Sequence, residues 1–329
     1  MKKWFISIIM LAGLSSCSSN NNDLFTENNI IVTHFEKEKQ LVARVLIDDV
    51  YGYYNIGHID EYLVLFSVQH ERFFYVYSIT GDSLGSFGVK GQGPTDLVNN
   101  DWCGQTYGKS MWINDINRAR MCAVNVEQSL AQKQCVFDTA IRTAGFSVNS
   151  FVLNDSIILS EQMRGDNYYL LTININTEAT KEEKLYNYPT EHVFGTYNSK
   201  WRIKPDCSKM ASAMHSINMI NILDVKTKKR KSIITGNQNI NLGNIVNKET
   251  ALANRMYYIT LDVTDNYIYA LYRNESFGIE IHVFDWQGTP VYRYIVPEYT
   301  WTIAVDENNR CIYSWSQELE KVYVYEMDN

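Results

Sequence analysis

Apolar and polar residues alternate with a period of two along most of this chain. The runs Phe73 to Ile79, Tyr168 to Ile175, Ile279 to Phe284 and Lys321 to Tyr325 are the clearest cases. A period of two puts every second side chain on one face of a pleated strand, whereas a helix would need a period of 3.6. The body is therefore expected to be nearly all strand. Aligning the most apolar strand of each segment picks out YVYS at 75–78, AVNV at 123–126, LLTI at 170–173, INIL at 220–223, IHVF at 281–284 and VYVY at 322–325. The mean spacing is about 49 residues, in the range of propeller blades. Several units also end in a polar turn of one type: SITGD at 78–82, LDVKT at 223–227 and FDWQGT at 284–289.

A unit of four strands has a face that it cannot bury alone, and packing such units radially around an axis hides those faces and leaves few open edges. A six-bladed β-propeller, an all-β fold, is the expectation. The last unit, from about Trp301 to Met327, has room for only three strands, so an N-terminal strand must complete it. Two candidates exist, Ile30 to Phe35 and Leu41 to Ile47, and the pattern does not choose between them. The widest spacing places an insertion between Leu223 and Ile281, around Gln238 to Ala253, with short helical character. A pair of β-sandwiches would show no six-fold spacing and would favour a mid-chain linker, and no Pro/Gly/Ser-rich linker is present.

The N-terminus departs from this rhythm. Lys2 and Lys3 precede an apolar run from Trp4 to Leu14, and Ser15, Ser16 and Cys17 follow. A basic start, an apolar stretch and small residues are the parts of a secretory signal, and the stretch falls short of the roughly 20 residues that span a bilayer. The cysteine directly after the small pair resembles the lipobox of bacterial lipoproteins. Residues 1–16 are then a signal peptide, Cys17 the lipidated first residue, residues 17–29 a polar tether (SSNNNDLFTENN over 18–29) and residues 30–329 the propeller. Ser18 is not the acidic residue associated with inner-membrane retention, so the outer membrane is expected.

Composition narrows the partners. The formal net charge is −7, which the loss of two signal lysines makes more negative, and an acidic chain does not suit nucleic acid. Aromatic residues make up 13% of the chain, led by 23 tyrosines, which favours strands. Besides Cys17 there are five cysteines, at 103, 122, 135, 207 and 311, an odd number that leaves at least one thiol free. Cys122 and Cys135 face each other if the chain turns near Glu127 to Leu130, and a bridge there would need suitable geometry.

The densest glycine cluster is GSFGVKGQGP at 85–94. It lacks the GK[ST] ending of a P-loop and the order of a dinucleotide fold. Gly88, Lys90, Gly91, Gln92, Gly93 and Pro94 belong either to a tight inter-blade crossing or to a ligand-facing loop. Phe87, Gly88, Gly91, Gly93 and Pro94, with Asp96 at an acidic position, match an FGxxGxGPxE-like segment. On this segment, the lipobox and the strand rhythm, the chain resembles the six-bladed TolB-like propeller lipoproteins of Gram-negative bacteria. The resemblance implies a six-bladed fold and an envelope location, and it carries no established catalytic residues.

Catalytic and metal patterns are absent from the sequence. The six histidines show no HxxH or HExxH spacing, no GxSxG elbow exists, and no Cys/His cluster has zinc spacing. No metal or cofactor is therefore expected. Paired carboxylates of a glycosidase would leave no such signature, so an enzyme remains the alternative. Lys226, Lys228, Lys229, Arg230 and Lys231 form one basic run, read as a solvated hairpin turn. Ser83, Thr139 and Ser156 stand in Asp-Ser/Thr-apolar triplets that look like O-glycosylation acceptors of some Gram-negative bacteria. Trp102, Trp112, Trp201, Trp286, Trp301 and Trp315 either stack on sugars or pack between blades. The expected function is an envelope-anchored, non-catalytic propeller that binds a protein or glycan partner at a channel mouth. The alternative is an extracellular glycan- or peptide-processing enzyme with carboxylates at that mouth.

Overall fold

The computed structural model describes residues 29–143, 149–165, 167–185, 197–236, 256–274 and 276–327. Cys17 and the insertion expected at 238–253 lie outside them.

The chain opens with three short strands, β1 (Asn29–Val32), β2 (Lys37–Gln40) and β3 (Ala43–Ile47), which join three different sheets. Blade 1 follows as β4 (Tyr53–Ile59), β5 (Tyr62–Ser67), β6 (Arg72–Ser78) and β7 (Ser83–Val89). Blade 2 is β8 (Asp101–Tyr107), β9 (Ser110–Asp115), β10 (Arg120–Asn125) and β11 (Phe137–Arg142), with helix α1 (Val126–Gln132) inserted before its last strand. Blade 3 is β12 (Asn149–Asn154), β13 (Ile157–Arg164), β14 (Asn167–Asn174) and β15 (Thr180–Lys184). Blade 4 is β16 (Ser199–Ile203), β17 (Lys209–Met214), β18 (Met219–Asp224) and β19 (Arg230–Thr235). Blade 5 is β20 (Tyr258–Val263), β21 (Tyr267–Arg273), β22 (Ile279–Asp285) and β23 (Pro290–Val296). Blade 6 is β24 (Thr302–Asp306), β25 (Cys311–Ser316) and β26 (Lys321–Glu326).

The six apolar segments aligned in the sequence fall on the third strand of a blade, β6, β10, β14, β18, β22 and β26, except that Val126 of the second segment already opens α1. Third strands are apolar because both faces are covered by neighbouring blades. The recurring polar turn has one physical cause. The last residue of this strand accepts backbone N–H bonds from the turn, as Ser78 does from Asp82 (3.0 Å), Asn174 from Asn176 (3.0 Å), Asp224 from Thr227 (2.7 Å) and Asp285 from Gln287 (2.9 Å). Such side chains mimic a backbone turn and close the hairpin to the outer strand.

Ring closure answers the question that the pattern left open. β3 pairs antiparallel with β26 (Val322↔Ile47, Tyr325↔Ala43) as the fourth strand of blade 6. Of the two candidate segments, the one at 41–47 closes the ring. The other supplies β1, which runs parallel to β19 as a fifth strand of blade 4, and β2 adds a fifth strand to blade 5. The N-terminal segment is thus a strap across the outer edges of three successive blades. Arg293 of β23 clamps it by bonding both Glu38 of β2 (2.8 Å) and buried Glu280 of β22 (2.7 Å).

The core lies between blades. Trp315 of blade 6 packs with Leu63 and Leu65 of blade 1, and Phe66 stacks on Trp102 of blade 2 at 5.0 Å. Trp102, Trp112, Trp201, Trp286 and Trp315 are all buried, so the inter-blade alternative holds for them. Cys122 and Cys135 are buried free thiols in the interface of blades 1 and 2, so no bridge joins them. The intervening residues form α1, which Asn125 caps by accepting from the N–H of Gln128 (3.0 Å), in place of the tight turn a bridge would need. Burial pushes these two thiols up to about 11 and about 12.

Candidate functional site

The first strands line the axis, with β24 touching β4 and β20, β16 touching β20 and β12, and β12 touching β8, so the loops at the two ends of these strands form two channel mouths. At the C-terminal ends of β4, β8, β16, β20 and β24 lies a cavity of about 490 Å³. Six carboxylates line it, Asp60, Glu61, Asp262, Asp265, Asp306 and Glu307, and no lysine or arginine does. This is an acidic funnel on a rigid ring of strands.

Two of these acids belong to the framework. Asp262 accepts the N–H of Val305 (2.8 Å), tying β20 to β24. Its burial raises its pKa, opposed by the Arg202 guanidinium and by backbone hydrogen bonds. Asp306 accepts both the backbone N–H (3.0 Å) and the side-chain amide (2.7 Å) of Asn309, and His58 Nε2 stands 3.3 Å from it. The His58 ring stacks on Tyr313 at 6.0 Å. Glu307 accepts from Asn266 (3.0 Å), while Asp60, Glu61 and Asp265 sit exposed on the rim loops.

Arg202 lies buried beneath the funnel floor. Its guanidinium is 5.6 Å over the Trp102 ring and donates to the Trp201 carbonyl (2.9 Å). It reaches across from blade 4 because position 104 of blade 2 is glycine. The φ of Gly104 is +77°, and a Cβ there would collide with Nε and Cδ of Arg202.

The opposite mouth holds a cavity of about 370 Å³ lined by Asp101, Glu161, Lys200 and His215 among others. Burial suppresses charge here: it raises Asp101, lowers Lys200 and His215, and pushes Glu161 up to about 7 against hydrogen bonds from Asn149 and Trp201. The His215 ring bonds the Tyr258 carbonyl through Nδ1 (2.7 Å). Among the described residues, no group of three or more His, Cys, Asp or Glu is placed to hold a metal ion.

The residues singled out in the sequence lie elsewhere. Lys90 to Asn100 cross from β7 to β8, away from both mouths. Arg118 of blade 2 donates to the carbonyls of Gln92 and Gly93 (3.1 Å each), and Asp96 accepts the Gly93 N–H (2.9 Å). A Cβ at Gly91 or Gly93 would strike the Asp96 carboxylate, so this FGxxGxGPxD segment is an inter-blade clasp. Ser83 and Thr139 are exposed on outer strands, and Ser156 is half-buried and accepts from Asn176 (2.9 Å). In the basic run, Arg230 bonds the Lys184 carbonyl of blade 3 (3.2 Å) and Lys231 the Gln287 carbonyl of blade 5 (2.6 Å), which adds inter-blade ties to a solvated turn. The funnel acids carried no motif. What marks them is position: the pairs Asp60-Glu61 and Asp306-Glu307 both end a first strand.

Six sheets of four or five strands around a channel, closed by an N-terminal strand, define a six-bladed β-propeller. The chain belongs to the TolB-like 6-blade propeller-like family, which matches residues 34–308. Among solved structures it is similar to a candidate exported protein of Bacteroides fragilis NCTC 9343, with 11% identity over 92% of this chain and 100% of that one and a TM-score of 0.56. The Myceliophteria thermophila Cps50 (Swd1) propeller domain aligns at a TM-score of 0.46, with 11% identity over 87% of this chain and 100% of that one. A chain of a mitotic checkpoint complex aligns at 0.46, with 11% identity over 90% and 94%. No curated protein matches the sequence.

Proposed function

We propose that this protein is an outer-membrane lipoprotein, anchored through Cys17, whose propeller is a non-catalytic module that binds a protein partner at its acidic mouth. The observation that carries this reading is the gathering of six carboxylates around one cavity with no lysine or arginine among its lining. Such a field attracts and orients a basic surface, and the low-dielectric walls concentrate it. A glycan suits the mouth less well, because the one tryptophan in its lining, Trp102, is 5% exposed and its ring is taken up by Phe66 and the Arg202 guanidinium. A hydrolase would need two carboxylates facing open space. Asp262 and Asp306, in the funnel wall, have oxygens already committed to Val305, Asn309 and His58, and the three open acids, Asp60, Glu61 and Asp265, sit on the solvent-exposed rim instead of in the enclosed setting that a general acid needs. Similarity to a candidate exported protein supports export.

Two measurements test it. The Cys17→Ala chain loses its acyl mass and moves from the detergent to the aqueous phase on Triton X-114 partition; retention in the detergent phase rejects the anchor. Fluorescent octalysine binds the soluble Cys17→Ala chain with an affinity that falls with salt, and Asp60→Asn/Glu61→Gln/Asp265→Asn weakens it at least fivefold. Equal binding by the triple variant rejects the mouth.

A further inference from the structure

The funnel does not end at the channel. Blade 3 is set back from the axis, and the inner strands of blades 2 and 4, β8 and β16, touch in front of it. The set-back opens a cleft between blades 2 and 3 of about 700 Å³, larger than the funnel itself. The two cavities share Gln105, Thr106 and Pro205, so they adjoin. Gln105 is the partition. Its side-chain amide donates to the Val152 carbonyl (2.5 Å) and accepts the Val152 N–H (2.9 Å), replacing the backbone pairing that the two blades do not make there.

The walls of the cleft differ from those of the funnel. Trp112, Ile141, Leu153 and Ile175 supply an apolar lining, and Tyr107, at 75% exposure, stands at the rim. The charges there are again acidic: Asp138, Asp155 and Asp206 line it and no lysine or arginine does. Asp206 stays ionised, since bonds from Lys204 and Ser208 outweigh burial and hold it down at about 2. Asp138 accepts from Ser110 and Asn125, which fixes it on the β11 side. Lys204 pairs with Asp206, so the net negative charge of the slot is that of Asp138 and Asp155; an apolar slot edged by these two carboxylates and opening beside a second acidic cavity selects for a group that is apolar and cationic at once.

Resting on the mouth-binding reading above, we propose that the partner enters as an extended peptide segment, with a bulky apolar side chain in the cleft between blades 2 and 3 and a neighbouring lysine or arginine in the funnel. The apolar residue supplies hydrophobic burial, and the carboxylates on both sides of Gln105 set the direction in which the segment lies.

The probes are three fluorescein-labelled tetrapeptides, KLFK, KGGK and ELFE, titrated by anisotropy against the soluble mature chain carrying Cys17→Ala. KLFK is expected to bind at least tenfold more tightly than KGGK, about 1.4 kcal/mol, and ELFE not to bind. Leu153→Gln and Tyr107→Ala each bring KLFK down toward KGGK while leaving KGGK unchanged. Tyr107 is exposed, so its variant keeps the fold, and an unchanged melting midpoint checks this for Leu153→Gln. Equal binding of KLFK and KGGK overturns the cleft and leaves the acidic mouth standing. Binding of ELFE as tight as KLFK also overturns the proposal, because charge then selects nothing. Silence of both cationic peptides overturns the mouth reading together with this one.

Discussion

Leu41 tests whether the N-terminal strap holds the ring. It sits between β2 and β3, is 1% exposed, packs in the core shared by blades 5 and 6, and donates its N–H to the Ile295 carbonyl (2.9 Å). Leu41→Ala removes buried carbons whose backbone is pinned on both sides, so the site cannot collapse around the loss. The expected cost is about 3–4 kcal/mol, toward the upper part of the range for leucine-to-alanine changes. With roughly 2.1 cal/mol/K of unfolding entropy per residue over ~300 residues, that lowers the melting temperature by about 5–6 °C. Val42 is the internal control. It is adjacent and 81% exposed, so Val42→Ala changes stability by less than about 0.5 kcal/mol. Thermal melts and urea titrations followed by circular dichroism measure both. Blade 6 carries Asp306 and Glu307, so Leu41→Ala also weakens octalysine binding near its melting temperature as the funnel loosens. If Leu41→Ala costs no more than Val42→Ala, the strap contributes nothing to closure and the reasoning fails.

Glu161 gives a pH test. Its folded value near 7 lies above its ordinary 4.5, so between these the unfolded chain releases a proton that the fold keeps. Stability therefore falls as pH rises through that window, by about 3 kcal/mol at 1.36 kcal/mol per unit. Glu161→Gln flattens the profile, and matching pH 5 and pH 8 urea midpoints for the variant, unequal for the parent, are expected. Gly104→Ala is expected to cost about 2–4 kcal/mol from positive φ plus the clash with Arg202, whereas Gly108→Ala, also at positive φ but with open space around it, costs about 1. Equal costs in urea titration remove Arg202 from the account. Ellman's reagent is expected to modify Cys207 and Cys311 in the native Cys17→Ala chain and all five thiols in urea, because Cys103, Cys122 and Cys135 are buried with raised pKa values. Rapid native reaction of a third thiol would contradict that burial.

What the sequence determined by itself was the repeat. Strand alternation and turn chemistry are local, so YVYS at 75–78 and VYVY at 322–325 announce the same blade position without reference to any neighbour. The need for an N-terminal strand followed from simple counting in the last blade. Which strand closes it did not, because residues 30–35 and 41–47 are both short and apolar, and only the geometry of the ring decides which outer edge each one reaches. The state of the thiols at 122 and 135 stayed open for a related reason: the seven-residue capped helix between them looks like a turn until packing between blades 1 and 2 stabilises it. The funnel was legible least of all. Asp60, Asp262 and Asp306 lie in three blades, far apart in the chain, and converge only because each ends an innermost strand. Local pattern determines what a blade is, since its causes act over a few residues. The charge at the mouth and the cleft beside it belong to the closed ring, because they exist only where six blades share one axis and one of them stands back.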